Sequence, residues 1–200
     1  MRPANEALVV IDVQNDFCPG GALAVPDGDA IVPGINALMA EFPAVVLTQD
    51  WHPAGHSSFA TTHSRDPYDT IQMPYGPQVL WPDHCVQGTP GAAFHPALRT
   101  DADLILRKGF RPGIDSYSAF FENDRMTPTG LSGYLRERGI DTITLAGLAT
   151  DFCVSYSALD GARLGFRITV REDLTRAIDL SGSLAAARAA WGQAGITVAA

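Results

Sequence analysis

Cys153 carries the most nucleophilic side-chain type in this chain, and its setting suggests how it could act. It follows a short apolar run, Thr142–Leu145, then a tight turn at Gly147, then Thr150 and Asp151, either of which can cap a helix. A thiol in the first turn of a helix meets exposed N–H groups and the positive end of the dipole, which favour a thiolate with a depressed pKa. For any single cysteine, a small buried space-filler is the plainer reading. The company it keeps shifts that balance. Asp12 follows Val9-Val10-Ile11, Asp50 follows Val46-Leu47-Thr48-Gln49, and Lys108 follows Leu104-Ile105-Leu106-Arg107. If these runs are parallel strands, all four side chains leave one edge of a sheet, where ligand-binding loops gather. A carboxylate there can take a thiol proton, and an ammonium can stabilise the charges that result. Asp16, in the loop after Asp12, reads as structural.

A second chemistry is written in Asp50-Trp51-His52. Two ligand-type side chains two residues apart on extended chain point the same way. His84, within Trp81-Pro82-Asp83-His84-Cys85, would return across a long loop to join them. One carboxylate and two imidazoles with open positions suit one divalent transition ion, Zn²⁺, Fe²⁺ or Mn²⁺, better than Mg²⁺. His56 is a candidate further ligand; His63 and His95 read as surface or structural. Asp-x-His alone is a weak signal.

These side chains need a frame. Apolar runs alternate with stretches of helical periodicity, which argues for an α/β three-layer sandwich with a mainly parallel, roughly six-stranded sheet. Strands are expected at Ala7–Ile11, Ala44–Thr48, Leu104–Arg107, Thr142–Leu145, Arg167–Val170 and Ile196–Val198, and helices at Ile31–Phe42, Gly130–Arg138, Phe152–Leu164 and Ser183–Trp191. Gly139 and Gly165 fall just past two of those helices, where a left-handed cap is wanted. From Asp50 to about Pro96 the chain shows neither helix nor strand and is crowded with Pro, Gly, Ser, His and aromatics. Loops of that length in a compact domain are usually functional. The expected organisation is one domain over 1–200, with this loop, at about 50–96, carrying metal and substrate groups.

The 200 residues are 46% hydrophobic and 18% charged, a globular balance, and the net charge of −8 argues against a nucleic-acid or anionic-membrane partner. The apolar runs are too short to span a bilayer, and the first residues do not read as a signal peptide. The three cysteines occur singly, which suits a reducing, cytoplasmic setting with free thiols.

Five segments, in order, resemble the isochorismatase-like cysteine hydrolase family, and within it the branch that hydrolyses nicotinamide. They are Asp12-Val13-Gln14-Asn15-Asp16-Phe17; Thr48-Gln49-Asp50-Trp51-His52-Pro53; Trp81-Pro82-Asp83-His84-Cys85-Val86 with Gly88-Thr89-Pro90-Gly91; Lys108-Gly109; and Gly147-Leu148-Ala149-Thr150-Asp151-Phe152-Cys153-Val154. The resemblance implies a catalytic triad of Asp12, Lys108 and Cys153 and metal ligands Asp50, His52 and His84. It implies a cis bond between Leu148 and Ala149 and an oxyanion hole from the amides of Ala149 and Cys153. Phe17 and Trp81 match the walls of a pyridine pocket, with Tyr117 and Leu148 as further substrate contacts. The implied reaction is deamidation of nicotinamide to nicotinate and ammonia through a cysteine thioester, with a homo-oligomer left open. Some relatives carry histidine where this chain has Phe152. Three alternatives stand beside this expectation. Ureido- or carbamoyl-amide hydrolases of the family generally lack the full metal set. A Mg²⁺-dependent phosphoryl-transfer enzyme would use an aspartate nucleophile, but no phosphate-cradling glycine loop is found. A non-catalytic binding module would release no ammonia from any amide.

Overall fold

The computed structural model describes residues 2–200. A six-stranded sheet runs through it in the order β5-β2-β1-β6-β7-β8, every neighbouring pair parallel. The strands are β1 Glu6–Ile11, β2 Val45–Asp50, β5 Leu104–Lys108, β6 Thr142–Leu148, β7 Arg167–Arg176 and β8 Thr197–Ala199. The helices are α1 Val32–Met39, α2 Leu131–Glu137, α3 Ser155–Arg163 and α4 Ser183–Ala194. β1 and β2 are central because their residues can be buried on both faces: Ala7 to Ile11 and Val45 to Asp50 are all buried. Each such Val, Leu or Ile contributes about 1.5–3 kcal/mol of apolar burial. β5, at the edge, alternates instead and leaves Ile105 exposed. Right-handed crossovers put α1 on one face of the sheet and α2, α3 and α4 on the other.

The chain winds outward from β1 through β2 to β5, then crosses back to β6 on the other side of β1. The strand order therefore reverses between β1 and β6, which opens a crevice at their carboxyl ends. Asp12 follows β1 and Cys153 follows β6, so the reversal sets those two side by side.

Several expectations needed correction. β6 does not end before a turn at Gly147; it continues to Leu148, with its register against β7 shifting between Leu145 and Gly147. Glycine is required there, since a Cβ would lie 2.1 Å from the Ile11 carbonyl oxygen and the backbone is left-handed at φ 114°. β7 runs past Val170 to Arg176. The 50–96 segment does contain strands, the antiparallel hairpin of β3 Thr70–Met73 and β4 Gly76–Val79. Four residues each, half exposed, with Pro77 inside β4, they give little periodic signal. The third helix starts at Ser155 rather than Phe152, after a wide turn over Thr150–Val154 in which the Val154 amide reaches the Ala149 carbonyl. No helix among the described residues is long and apolar enough to cross a membrane.

Candidate active site

The three side chains expected to do the chemistry meet. Lys108 Nζ lies 2.8 Å from Asp12 Oδ2, 2.5 Å from Asp50 Oδ1, 2.8 Å from the Ser116 carbonyl and 3.6 Å from Cys153 Sγ. The Cys153 sulfur is within 4.8 Å of a carboxylate oxygen of both Asp12 and Asp50. Asp12, with left-handed backbone at φ 48°, directs Oδ1 to the Thr48 hydroxyl, which donates to it at 2.6 Å. Its Oδ2 faces the ammonium as an ion pair without a well-aligned hydrogen bond. That oxygen is the one free to exchange a proton.

Burial raises the Asp12 carboxyl to about 6 even though Lys108 pulls it down. The group is ionised at neutral pH, yet basic enough to accept a proton. Burial also opposes the Lys108 charge, but Asp12 and Asp50 override it and hold the ammonium well above its usual range. The expected depression of the Cys153 thiol is not found. Burial pushes that thiol up, Lys108 acts against the rise, and Asp12 and Asp50 add to it. Helix-terminal stabilisation does not outweigh complete burial beside two carboxylates. Nor does Asp151 cap the helix: its carboxylate accepts the amides of Ile178 at 3.0 Å and Asp179 at 2.7 Å, and the Ser183 hydroxyl.

Asp50, His52 and His84 offer donor atoms within 4.8 Å of one another. The tautomers follow from the hydrogen bonds. His52 Nδ1 donates to the Gly109 carbonyl at 2.8 Å, and His84 Nδ1 donates to the Pro82 carbonyl at 2.8 Å. Each ring therefore turns Nε2 toward Asp50 Oδ2, at 3.6 Å and 3.9 Å; burial lowers the His52 ring, but Asp50 overrides that and holds it above its usual range. His52 Nε2 is buried with no hydrogen-bond partner. Two imidazole nitrogens and a carboxylate converging in a dry site are a donor set for a cation. Burial resists the Asp50 charge, yet Lys108 and then His52 hold the carboxyl well below its usual range. Burial and then His52 lower His84 to about 4, which leaves it a neutral imidazole at neutral pH. His56 stands apart. Its Nδ1 pairs with the Ser58 hydroxyl at 2.8 Å and its Nε2 reaches the carbonyls of Arg111 and Ile114, so both nitrogens are committed.

A cavity beside these groups is walled by Phe17, Trp81, Tyr117 and Phe152, with Leu23, Ile178, Asp115 and Ala149 completing it around Cys153. Trp81 stands edge-on to Phe152 at 4.9 Å, and its indole N–H donates to Tyr117 Oη at 3.0 Å. The Leu148–Ala149 bond is cis. Leu148 itself is not on the wall: it is fully buried in the core, and Ala149, just past the end of β6, lines the cavity instead.

Several side chains that shape the site escaped the sequence reading. Gln14 accepts the Asp50 amide at 2.8 Å and donates to the Asp50 carbonyl at 2.9 Å, pinning the ligand's backbone. Thr48 orients Asp12. Both lie inside the quoted segments, so the signal was present but unassigned. Phe152 lies within the last of those segments, whereas Leu23, Ile178 and Asp115 belong to no motif.

The isochorismatase domain model matches residues 6–199. The chain belongs to the isochorismatase-domain family. Within that family it is 58% identical to the nicotinamidase of Acinetobacter baylyi, over 92% of this chain and 87% of that protein. An Acinetobacter baumanii nicotinamidase/pyrazinamidase structure superposes with a TM-score of 0.98 at 56% identity, covering 99% of this chain and 97% of that one. A Pyrococcus horikoshii pyrazinamidase, solved in complex with zinc, superposes with a TM-score of 0.79 at 34% identity, over 98% of both chains.

Proposed function

We propose that this isochorismatase-family enzyme deamidates nicotinamide to nicotinate and ammonia, through a thioester on Cys153. One observation carries the reading: the Cys153 sulfur stands 3.6 Å from Lys108 and within 4.8 Å of Asp12, at the floor of an aromatic-walled cavity beside a cation-type donor set. Identity of 58% to a nicotinamidase supports the same substrate. A cavity faced by Phe17, Trp81, Tyr117 and Phe152 suits a flat ring better than a linear ureido chain.

In this mechanism the thiol is not ionised in advance. Asp12 accepts its proton as sulfur attacks the carboxamide carbon, and Lys108 offsets the charge that accumulates between the two. The amides of Ala149 and Cys153 donate to the developing oxyanion, each worth about 3 kcal/mol of barrier. Asp12 returns the proton to the departing nitrogen, ammonia leaves, and a nicotinoyl thioester remains. Asp12 then takes a proton from water, whose oxygen attacks the thioester carbon. The carbon–sulfur bond breaks, Asp12 gives that proton to the departing sulfur to restore the thiol, and the product leaves as nicotinate with its proton released to solvent. Asp50, His52 and His84 would hold one divalent ion, whose contribution when bound is a coordination site for the ring nitrogen. The Pyrococcus relative's zinc supports a divalent ion there.

The whole chain acts as one catalytic unit. Free thiols at Cys18, Cys85 and Cys153 suit a reducing compartment, and we place the enzyme in the cytoplasm. The test is ammonia release from nicotinamide by wild type and by Cys153→Ala. Wild type is expected to turn over and the variant to bind without turnover; appreciable ammonia from the variant defeats the thioester route.

A further inference from the structure

Asp115 has no part in the chemistry described so far, yet it is buried at 2% exposure and lines the same cavity as Asp50 and His84. One of its oxygens, Oδ1, lies 4.0 Å from His52 Nε2, the buried nitrogen that has no hydrogen-bond partner. The carboxylate is held firmly. The Ser116 amide donates to Oδ1 at 2.8 Å and Gln78 Nε2 donates to Oδ2 at 2.8 Å. His56 fixes its backbone approach, since His56 Nε2 reaches the carbonyl of Ile114, the preceding residue, at 3.1 Å. No Lys or Arg among the described residues pairs with Asp115; the one basic side chain that reaches it is the His52 imidazole, at 4.0 Å. A buried carboxylate with two neutral donors and no permanently charged partner is costly unless a positive charge faces it.

Charge balance says where that charge belongs. Asp50 is already shared with Lys108 at 2.5 Å, and Asp12 pairs with the same ammonium at 2.8 Å. A divalent ion on the Asp50–His52–His84 set would leave three positive charges facing two carboxylates in a dry site. Asp115 is the third carboxylate. It groups within 4.8 Å with His52 and His56, while the Asp50–His52–His84 set closes without it, so it stands just outside the donor ring. We propose that Asp115 is the outer carboxylate of the cation site, a positioning residue beyond His52 whose negative charge sets the affinity for the metal. This rests on the divalent-ion reading above. It also gives His56 a role other than ligation, as the clamp that aims Asp115.

The test uses the full chain stripped of metal by a chelator and titrated with Zn²⁺ against a chromogenic competitor. Asp115→Asn keeps the shape and removes the charge. It is expected to weaken Zn²⁺ binding about 10–100-fold, in the range seen when outer partners of metal ligands are lost. The melting temperature of the metal-free protein should not fall, and excess Zn²⁺ should restore most of the ammonia release, which loss of a purely structural contact would not allow. If Asp115→Asn does not fold, Asp115→Ser is titrated in its place. Zn²⁺ affinity within about twofold of wild type, in whichever variant folds, overturns the proposal while leaving the divalent-ion reading intact. Wild type that takes up no Zn²⁺ overturns both.

Discussion

Replacing Thr48 with valine should move the acid limb of the activity profile upward by about one pH unit. Thr48 is fully buried; its hydroxyl donates to Asp12 Oδ1 at 2.6 Å and accepts the Asp12 amide at 3.1 Å. Burial raises Asp12 to about 6, and Lys108 and then the Thr48 hydroxyl are among the contacts limiting the rise. A hydrogen bond to a charged group is worth about 1.5–3 kcal/mol, and about 1.4 kcal/mol corresponds to one pKa unit. Allowing for partial relaxation of the site, Thr48→Val should carry Asp12 from about 6 to roughly 7. Because Asp12 must be ionised to take the thiol proton, kcat/KM for ammonia release should fall up to about tenfold on the acid side and change little above roughly pH 8. Stability follows the same sign. A carboxyl raised in the folded state favours folding below its unfolded pKa, and that contribution is lost as pH rises through the folded value. The loss now complete near 6 should extend to about 7 in the variant. The assay is kcat/KM across roughly pH 5 to 9, with thermal melts in parallel. An acid limb unmoved to within about 0.3 unit, in a variant that melts cooperatively, would falsify the assignment of Asp12 as the base.

Other perturbations reach different parts of the account. Glu122 is buried, with burial raising its carboxyl to about 7 against the pull of Arg111. Wild type should therefore lose stability between about 4.5 and 7, and Glu122→Gln should flatten that slope by about 2 kcal/mol after discounting for solvent screening; denaturant titrations at the two ends of the window measure it, and equal slopes refute it. Gly147→Ala places a Cβ 2.1 Å from the Ile11 carbonyl oxygen at a left-handed residue, and should cost about 3 kcal/mol or abolish folding. A melting temperature equal to wild type would show that β1 and β6 are not pressed together there. Stripping the divalent ion should lower ammonia release from nicotinamide at least about tenfold, restored by Zn²⁺; undiminished turnover by the stripped protein contradicts the role given to Asp50, His52 and His84.

The sheet was legible because its central strands are buried on both faces and therefore read as unbroken apolar runs, as in Leu8-Val9-Val10-Ile11. In β7 the apolar pattern stops at Val170, because Arg171, Glu172 and Asp173 follow, although pairing with β6 resumes at Thr175 and Arg176 beyond the register shift. The hairpin of β3 and β4 is short and half exposed, so tertiary context rather than periodicity makes it. Asp12, Asp50, Lys108 and Cys153 could be placed from strand ends alone, since strand order and parallel pairing fix where those ends go. Properties set by surroundings could not. That Cys153 is buried to the point of a raised pKa, that Leu148 turns inward, and that both nitrogens of His56 are occupied all depend on neighbours distant in sequence. Asp115 is the clearest case: beyond the adjacent Ser116 amide, its partners Gln78 and His52 come from two distant stretches, and only packing reveals that they converge.

The central claim is a covalent bond at one sulfur, and rapid acid quenching during nicotinamide turnover, followed by peptide mass spectrometry, tests it most directly. A nicotinoyl adduct on the peptide containing Cys153, accumulating before steady state and absent from Cys153→Ala, is the expected result. Full turnover with that peptide unmodified at every quench time, or the acyl group found on Asp12 instead, would contradict it.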